Sequence, residues 1–191
     1  MHKPFALFTQ WYNQAEKAAQ FEPYGVLSTI KQDLSPAARV VLFKIIEAEN
    51  FTFCTNRQSN KSKEIFINNK VAICFYWENI AKQIRIEGTA EEISRSTAIK
   101  LFKERPREHQ LASIASKQSK TLINRELLSS AYKNVEQEFI NKEVPTPDWW
   151  TGFSIKPYLY EFWDRGAFRL HHRTLYLKDQ IGAWDNTLLY P

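Results

Sequence analysis

A chain of 191 residues with 43% apolar and 25% charged side chains is long enough to bury a core and too apolar for a disordered or low-complexity protein. Its net charge of +5 is scattered among acidic residues rather than massed in an arm, which favours small anionic ligands and gives no indication of nucleic acid. No apolar run approaches the ~20 residues of a membrane span and the amino terminus lacks a signal-peptide core, so a cytoplasmic protein with no membrane partner is expected.

Phe8, Trp11, Tyr12, Ala15, Ala18 and Ala19 recur at three- and four-residue spacing and predict an amphipathic helix from Pro4 to about Phe21, ended by Glu22-Pro23-Tyr24-Gly25. Val26–Lys31, Ala37–Ile46, Phe51–Thr55, Val71–Trp77 and Lys82–Glu92 are rich in β-branched and aromatic residues and predict a meander of about five strands. A short helix at Ser62–Asn68 interrupts them. Ser94 or Ser96 caps a helix to Lys103, a second runs around Glu108–Ser116, and Asn124 caps a third with Leu127, Leu128, Ala131, Val135 and Phe139 as its buried stripe. Strands return at Phe153–Lys156, Tyr160–Trp163, Phe168–Leu177 and Ala183–Leu189. Six or more antiparallel strands with late helices describe a mainly β (α+β) chain, a closed or split β-barrel with a helical subdomain. We expect one domain over residues 1–191 with a helical insertion at about 94–141.

The densest chemistry lies in Glu161–Arg173. A strand over Phe168–Leu177 places Arg169, His171 and Arg173 on one face, and three such groups in a row are comfortable only against solvent or an anion; a solvated hairpin turning at Asp164-Arg165-Gly166 and a ligand wall both satisfy this. Arg39 and Lys44 flank the apolar run Val40-Val41-Leu42-Phe43, where a charge needs an acidic partner or a ligand. Thr55, Asn56, Ser59 and Lys61 lead into the short helix and offer hydroxyls, amides and an ammonium to a phosphate, without P-loop spacing. Gln83, Arg85 and Glu87 alternate on one strand face. Cys54 and Cys74 fall in predicted strands with no Cys-x-x-Cys pair and no histidine at ligand spacing, so reduced structural thiols and no metal are expected. With no catalytic triad or carboxylate pair evident, cationic clusters beside many aromatics suit a cofactor that brings both phosphate and a flat ring.

The ordered series Ala38-Arg39-Val40-Val41-Leu42-Phe43-Lys44, Thr55-Asn56 with Ser59 and Lys61, Gln83-Ile84-Arg85-Ile86-Glu87-Gly88, Arg105-Pro106-Arg107, Ser116-Lys117-Gln118-Ser119, Val144-Pro145 with Pro147 and Trp150, Glu161-Phe162-Trp163, and Arg169-Leu170-His171 with Arg173 resembles pyridoxamine 5'-phosphate oxidase, from about Val26 to the carboxyl terminus. The resemblance implies an FMN-binding split β-barrel, a homodimer with flavin at the subunit interface. It implies oxidation of pyridoxamine or pyridoxine 5'-phosphate, in pyridoxine and pyridoxal phosphate metabolism, by hydride transfer to flavin and reoxidation by molecular oxygen. It places Arg39, Val40, Val41, Leu42, Phe43, Lys44, Cys54, Thr55, Ser59, Lys61, Gln83, Gln118, Ser119, Trp163 and Arg173 where the family binds FMN. Lys44, Arg105, His109, Arg169 and His171 fall where it binds the phosphorylated pyridine, Arg169 and His171 being the catalytic pair. Asn60, Leu101, His109 and His172 depart from the family's usual arginine, tyrosine, serine and acid. Two other outcomes follow from those departures: a related flavin oxidase acting on another ring, as in phenazine biosynthesis, and a non-catalytic FMN or pyridoxal phosphate binder.

Overall fold

The computed structural model describes residues 3–18, 23–47 and 49–191. Among these residues eight strands and five α-helices follow in order: α1 (Lys3–Ala18), β1 (Tyr24–Ile30), β2 (Pro36–Glu47), β3 (Asn50–Asn56), α2 (Asn60–Ile67), β4 (Lys70–Trp77), β5 (Lys82–Glu92), α3 (Arg95–Lys103), α4 (Arg107–Ala115), α5 (Arg125–Glu138), β6 (Trp150–Asp164), β7 (His172–Lys178) and β8 (Trp184–Leu189). The strand order β3-β2-β1-β4-β5-β6 closes because β3 also pairs with β6, giving a six-stranded antiparallel split barrel that β7 and β8 extend from β6. The predicted helix end at Phe21 and the turn residue Glu22 lie outside the described residues.

Two compact units account for the chain: residues 1–53, 64–91 and 154–191, and residues 54–63 and 92–153. In the first, period-two burial sends Phe43, Phe51, Phe53 and Phe75 inward, each at most 1% exposed. One stripe of α1, made by Pro4, Phe8, Trp11 and Ala15, is buried on the same core. Phe8 meets Phe51 edge-on at 4.9 Å and Trp11 meets Phe162 edge-on at 5.2 Å. Each such side chain contributes roughly 1.5–3 kcal/mol by leaving water. The Lys82 ammonium lies 4.2 Å from the Trp11 ring centre and pairs with Asp164, fastening α1 beside the end of β6. Gly88 permits close strand approach, since a Cβ there would stand 2.7 Å from the Lys156 carbonyl oxygen.

The second unit has its own core of Ala98, Phe102, Leu111, Val144 and Trp150. Ser94 caps α3 by accepting from Thr97 N at 3.1 Å, and Asn124 caps α5 by accepting from Leu127 N at 3.0 Å, as their sequence positions require. The Arg107 guanidinium donates to the Phe139 and Lys142 carbonyls just past α5, and so satisfies acceptors the helix leaves open.

Three expectations are corrected. The strands predicted at Phe153–Lys156 and Tyr160–Trp163 are one strand, β6, because Pro157 lacks only a donor and leaves an extended backbone intact. On α5, Leu128, Ala131, Val135 and Phe139 are half-buried, whereas Leu127 is 51% exposed and lies off the stripe. The strand expected from Phe168 begins instead at His172. Ala167–Arg169 form a 3₁₀ turn in which Phe168 (φ 54°) and Arg169 (φ 66°) occupy the left-handed region, so Arg169 and His171 do not share a β7 face with Arg173.

Candidate functional site

In the second unit, β3 ends in Thr55 and Asn56 and the chain turns into α2. Ser59 N donates to the Asn56 carbonyl at 3.0 Å, and the Asn56 side chain accepts from Gln58 N at 2.7 Å, which tightens the turn. Thr55 and Ser59 are buried and their hydroxyls lie 3.2 Å apart; Lys61 Nζ donates to Thr55 Oγ1 at 3.3 Å. Gln118 Oε1 accepts from Asn56 N at 3.0 Å and from the Thr55 hydroxyl at 3.3 Å, while Ser119 Oγ accepts from Asn60 N at 3.3 Å. The structure therefore brings Thr55, Ser59, Lys61, Gln118 and Ser119 into one cluster, across 63 residues of sequence between Thr55 and Gln118. Hydroxyls, a side-chain amide, an ammonium and a helix amino end are a donor set for phosphate.

Arg105 follows α3 in the same unit. Its guanidinium lies 4.6 Å from the Trp150 ring centre, and its buried Nε has no acceptor among the described residues. Burial pushes its pKa below the usual arginine value, with Cys54 opposing that shift. A half-buried cation on an aromatic platform without an ion-pair partner among the described residues is suited to an incoming anion. His109 is exposed in the first turn of α4, and Leu101 is only 7% exposed on α3.

In the first unit, Arg39 reaches Glu64 Oε2 at 2.8 Å and also donates to the Thr29 hydroxyl and, at 3.3 Å, to the Leu27 carbonyl; the acid that its strand position demanded is thus Glu64. Val41 and Phe43 point into the core, while Val40 is exposed and Leu42 half-buried. Lys44 occupies a β-bulge, for Phe43 pairs with Phe53 but Ile45 with Thr52, and the extra residue leaves Lys44 exposed. Gln83 is half-buried on β5 opposite Tyr76.

The β6–β7 register sets Trp163 opposite Arg173. Arg173 is held by Glu161: its Nε and NH2 lie 2.9 and 2.8 Å from Oε1, while NH1 donates to the Tyr190 carbonyl at 2.8 Å. Glu161 Oε2 takes Arg85 NH1 at 2.9 Å. Cys74 lies across β4–β5 from Arg85, and burial raises its thiol pKa, Arg85 opposing and Glu161 adding to the shift. Within the loop, Gly166 N donates to His171 Nδ1 at 3.3 Å, so Nδ1 is the accepting nitrogen, and the imidazole meets Trp163 at a tilt with ring centres 4.6 Å apart. A Cβ on Gly166 would fall 1.9 Å from the Leu170 carbonyl oxygen, so only glycine fits this turn. Arg169 is exposed on the same loop.

Sequence reasoning missed Glu161 and Glu64 as arginine partners and Trp150 as the Arg105 platform. The signal for Glu161 was present: one acid inside the apolar run Tyr158–Trp163 must be paired if it is buried.

The family model described as pyridoxamine 5'-phosphate oxidase matches residues 14–139, and that of the pyridoxine 5'-phosphate oxidase C-terminal dimerisation region matches residues 150–191. Pyridoxine/pyridoxamine 5'-phosphate oxidases of Aliarcobacter butzleri and Leptospira biflexa are 39% and 40% identical to the chain over 189 residues, 98% of this chain and 89% of theirs. PhzG from Burkholderia lata, solved in complex with tetrahydrophenazine-1-carboxylic acid, is similar with a TM-score of 0.93 at 30% identity, covering 100% of this chain and 94% of that one. A pyridoxamine 5'-phosphate oxidase-related, FMN-binding protein from Nostoc punctiforme, at 17% identity and a TM-score of 0.82 over 100% of both chains, shares the fold.

Proposed function

The chain belongs to the pyridoxamine 5'-phosphate oxidase family, and from that premise we propose that it oxidises pyridoxamine and pyridoxine 5'-phosphates to pyridoxal 5'-phosphate, with FMN as cofactor. The observation that carries the substrate reading is Arg105, a half-buried guanidinium on Trp150 with no acidic partner among the described residues, available to the substrate phosphate. The resemblance assigns Lys44, His109, Arg169 and His171 to the substrate as well. FMN fits the donors present: Thr55, Ser59, Lys61, Gln118 and Ser119 would hold its phosphate and ribityl chain, and the resemblance assigns Arg39 through Lys44, Cys54, Gln83, Trp163 and Arg173 to FMN as well. When bound, FMN supplies the hydride acceptor, and molecular oxygen takes the electrons on as hydrogen peroxide.

The chain's own residues bind and orient. His171, held at Nδ1 by Gly166 N–H and beside Trp163, would offer Nε2 to the substrate, and Arg169 brings an exposed cation on the same loop. The match to a C-terminal dimerisation region supports a homodimer; that flavin lies at its interface is what the resemblance implies. Among the described residues no helix is long and apolar enough to cross a membrane.

A second reading, oxidation of a larger fused ring, has its own support in buried, apolar Leu101 where the resemblance expects a hydroxyl and in the similarity to PhzG. The test is turnover: purified chain with added FMN and pyridoxamine 5'-phosphate should consume oxygen and water and yield aldehyde, ammonia and peroxide in equal amounts. Inertness toward this substrate with oxidation of a reduced tricycle would replace the first reading by the second, and a yellow protein inert to both would leave a binding protein.

A further inference from the structure

We propose that Glu161 is the positioning residue for Arg173, and that it acts through that guanidinium on flavin binding without itself touching the cofactor. The inference rests on the FMN reading above and extends it to a residue outside the set assigned to cofactor or substrate.

Glu161 is a carboxylate with 7% of its side chain exposed, sitting between two arginines brought by neighbouring strands. Arg85 comes from β5 at 2.9 Å and Arg173 from β7 at 2.8 Å. The two oxygens divide the work: Oε2 takes Arg85, and Oε1 takes both Nε and NH2 of Arg173. Because a guanidinium is planar, contact along its Nε–NH2 edge and at NH1, where Tyr190 O accepts at 2.8 Å, fixes both its tilt and its rotation. The remaining N–H bonds of Arg173 keep one direction in which a ligand can be met.

Such a carboxylate is poorly explained as a stabilising device. Taking an acid and an arginine out of water largely cancels their attraction, and an apolar pair of similar volume is often as stable. Arg85 has a second acid, Glu87, at 3.5 Å, so it does not depend on Glu161 for charge balance. Arg173 has no other carboxylate among its described contacts. Orientation of Arg173 is what Glu161 supplies and no other described side chain does.

The experiment is a double-mutant cycle on the full chain. FMN affinity is measured by quenching of flavin fluorescence, with thermal unfolding of the cofactor-free protein alongside. Glu161→Gln keeps the volume and removes the charge, and should weaken FMN binding about tenfold in the wild-type background while changing it less than about twofold when Arg173 is already alanine. Glu161→Asp, which keeps the charge and retracts it by one methylene, should fall between, and serves if the glutamine variant does not fold. At saturating FMN, KM for pyridoxamine 5'-phosphate should move less than threefold, since the substrate phosphate is assigned to Arg105. Equal weakening in both backgrounds, or a lowered unfolding temperature with unchanged FMN affinity, would make Glu161 a structural acid and overturn the proposal. A wild-type chain that binds no FMN would overturn the functional reading and this inference with it, whereas flavin binding that is blind to Glu161 would overturn the inference alone.

Discussion

Arg105 and Arg173 are both partly buried arginines beside a tryptophan, yet their surroundings are opposite. Arg173 has a carboxylate on one edge and a carbonyl on the other, and Arg105 has an aromatic face and an unmet Nε. A paired arginine is held in one orientation and has lost much of its attraction for a further anion. An unpaired one retains that attraction and bears the desolvation of its charge until the anion arrives. The difference separates a group that aims from a group that binds, and it predicts that the two will respond in opposite ways when removed.

Replacing Arg105 by Met should have the largest effect on catalysis and the least harmful one on stability. Two charge-assisted bonds to a substrate phosphate are worth about 3 kcal/mol together, so KM for pyridoxamine 5'-phosphate should rise on the order of 10²-fold with kcat changed far less. The cofactor-free protein should unfold no lower than wild type, because relief of the desolvated cation offsets the ~0.5–1 kcal/mol of its contact with Trp150. A clear fall in unfolding temperature with KM intact would show that Arg105 is a structural residue and that the contrast is false.

Removing Arg173 should do the reverse. Arg173→Ala leaves Glu161 with Arg85 as its one described partner, and the loss of a partly exposed ion pair to a buried acid should cost about 1–2 kcal/mol, or roughly 2–8 °C in a chain of this length. FMN affinity should fall while KM for substrate at saturating FMN stays near wild type. If the cofactor-free variant melts with the wild type, Arg85 alone meets the charge left on Glu161 and Arg173 is as free as Arg105.

The contrast was half visible in the sequence. β-Branched and aromatic content placed β5 at Lys82–Glu92, and capping chemistry placed Asn124 at one helix start and Ser94 or Ser96 at another, of which Ser94 is the cap, because local propensity, burial and capping agree there. Register, by contrast, is set by neighbours far away in the chain: nothing local says that Glu161 meets Arg85 and Arg173, or that Gln118 closes over Thr55 and Asn56. The strand predicted from Phe168 failed for a related reason. Aromatic and leucine content argued for extended backbone, while Gly166 lets the Leu170 carbonyl pack where a Cβ would be and bends Phe168 and Arg169 into the left-handed region. That conformation is disfavoured for both residues and holds through the loop's own contacts.

Tyr160 sharpens the contrast from a third direction and with the smallest effect. Like Arg105 it carries a buried polar atom without a partner among the described residues, but it is fully buried, so no ligand can reach its hydroxyl. An unmet buried hydroxyl costs about 1–3 kcal/mol, and Tyr160→Phe keeps the ring that stacks on Phe162, so at neutral pH the variant should be more stable by roughly 1 kcal/mol, or 2–4 °C. The two proteins should also part at alkaline pH. Burial first, and Glu49 second, push the Tyr160 phenol far above its ordinary value near 10. The folded chain therefore keeps this proton where the unfolded chain releases it. The stabilising contribution is complete below pH ~10 and is lost as pH rises above it, at about 1.4 kcal/mol per pH unit. Cys74, Tyr12 and Tyr158 are also raised by burial and add the same sign of slope, but they are present in both proteins and cancel in the difference. Denaturant unfolding between pH 7 and 11 should show the advantage of Tyr160→Phe widening only above pH 10. A variant less stable than wild type at pH 7 would mean that the hydroxyl has an acceptor in the folded chain and carries none of the cost assigned to Arg105, and parallel curves would mean that solvent reaches the phenol, so that it titrates alike in the folded and unfolded chain.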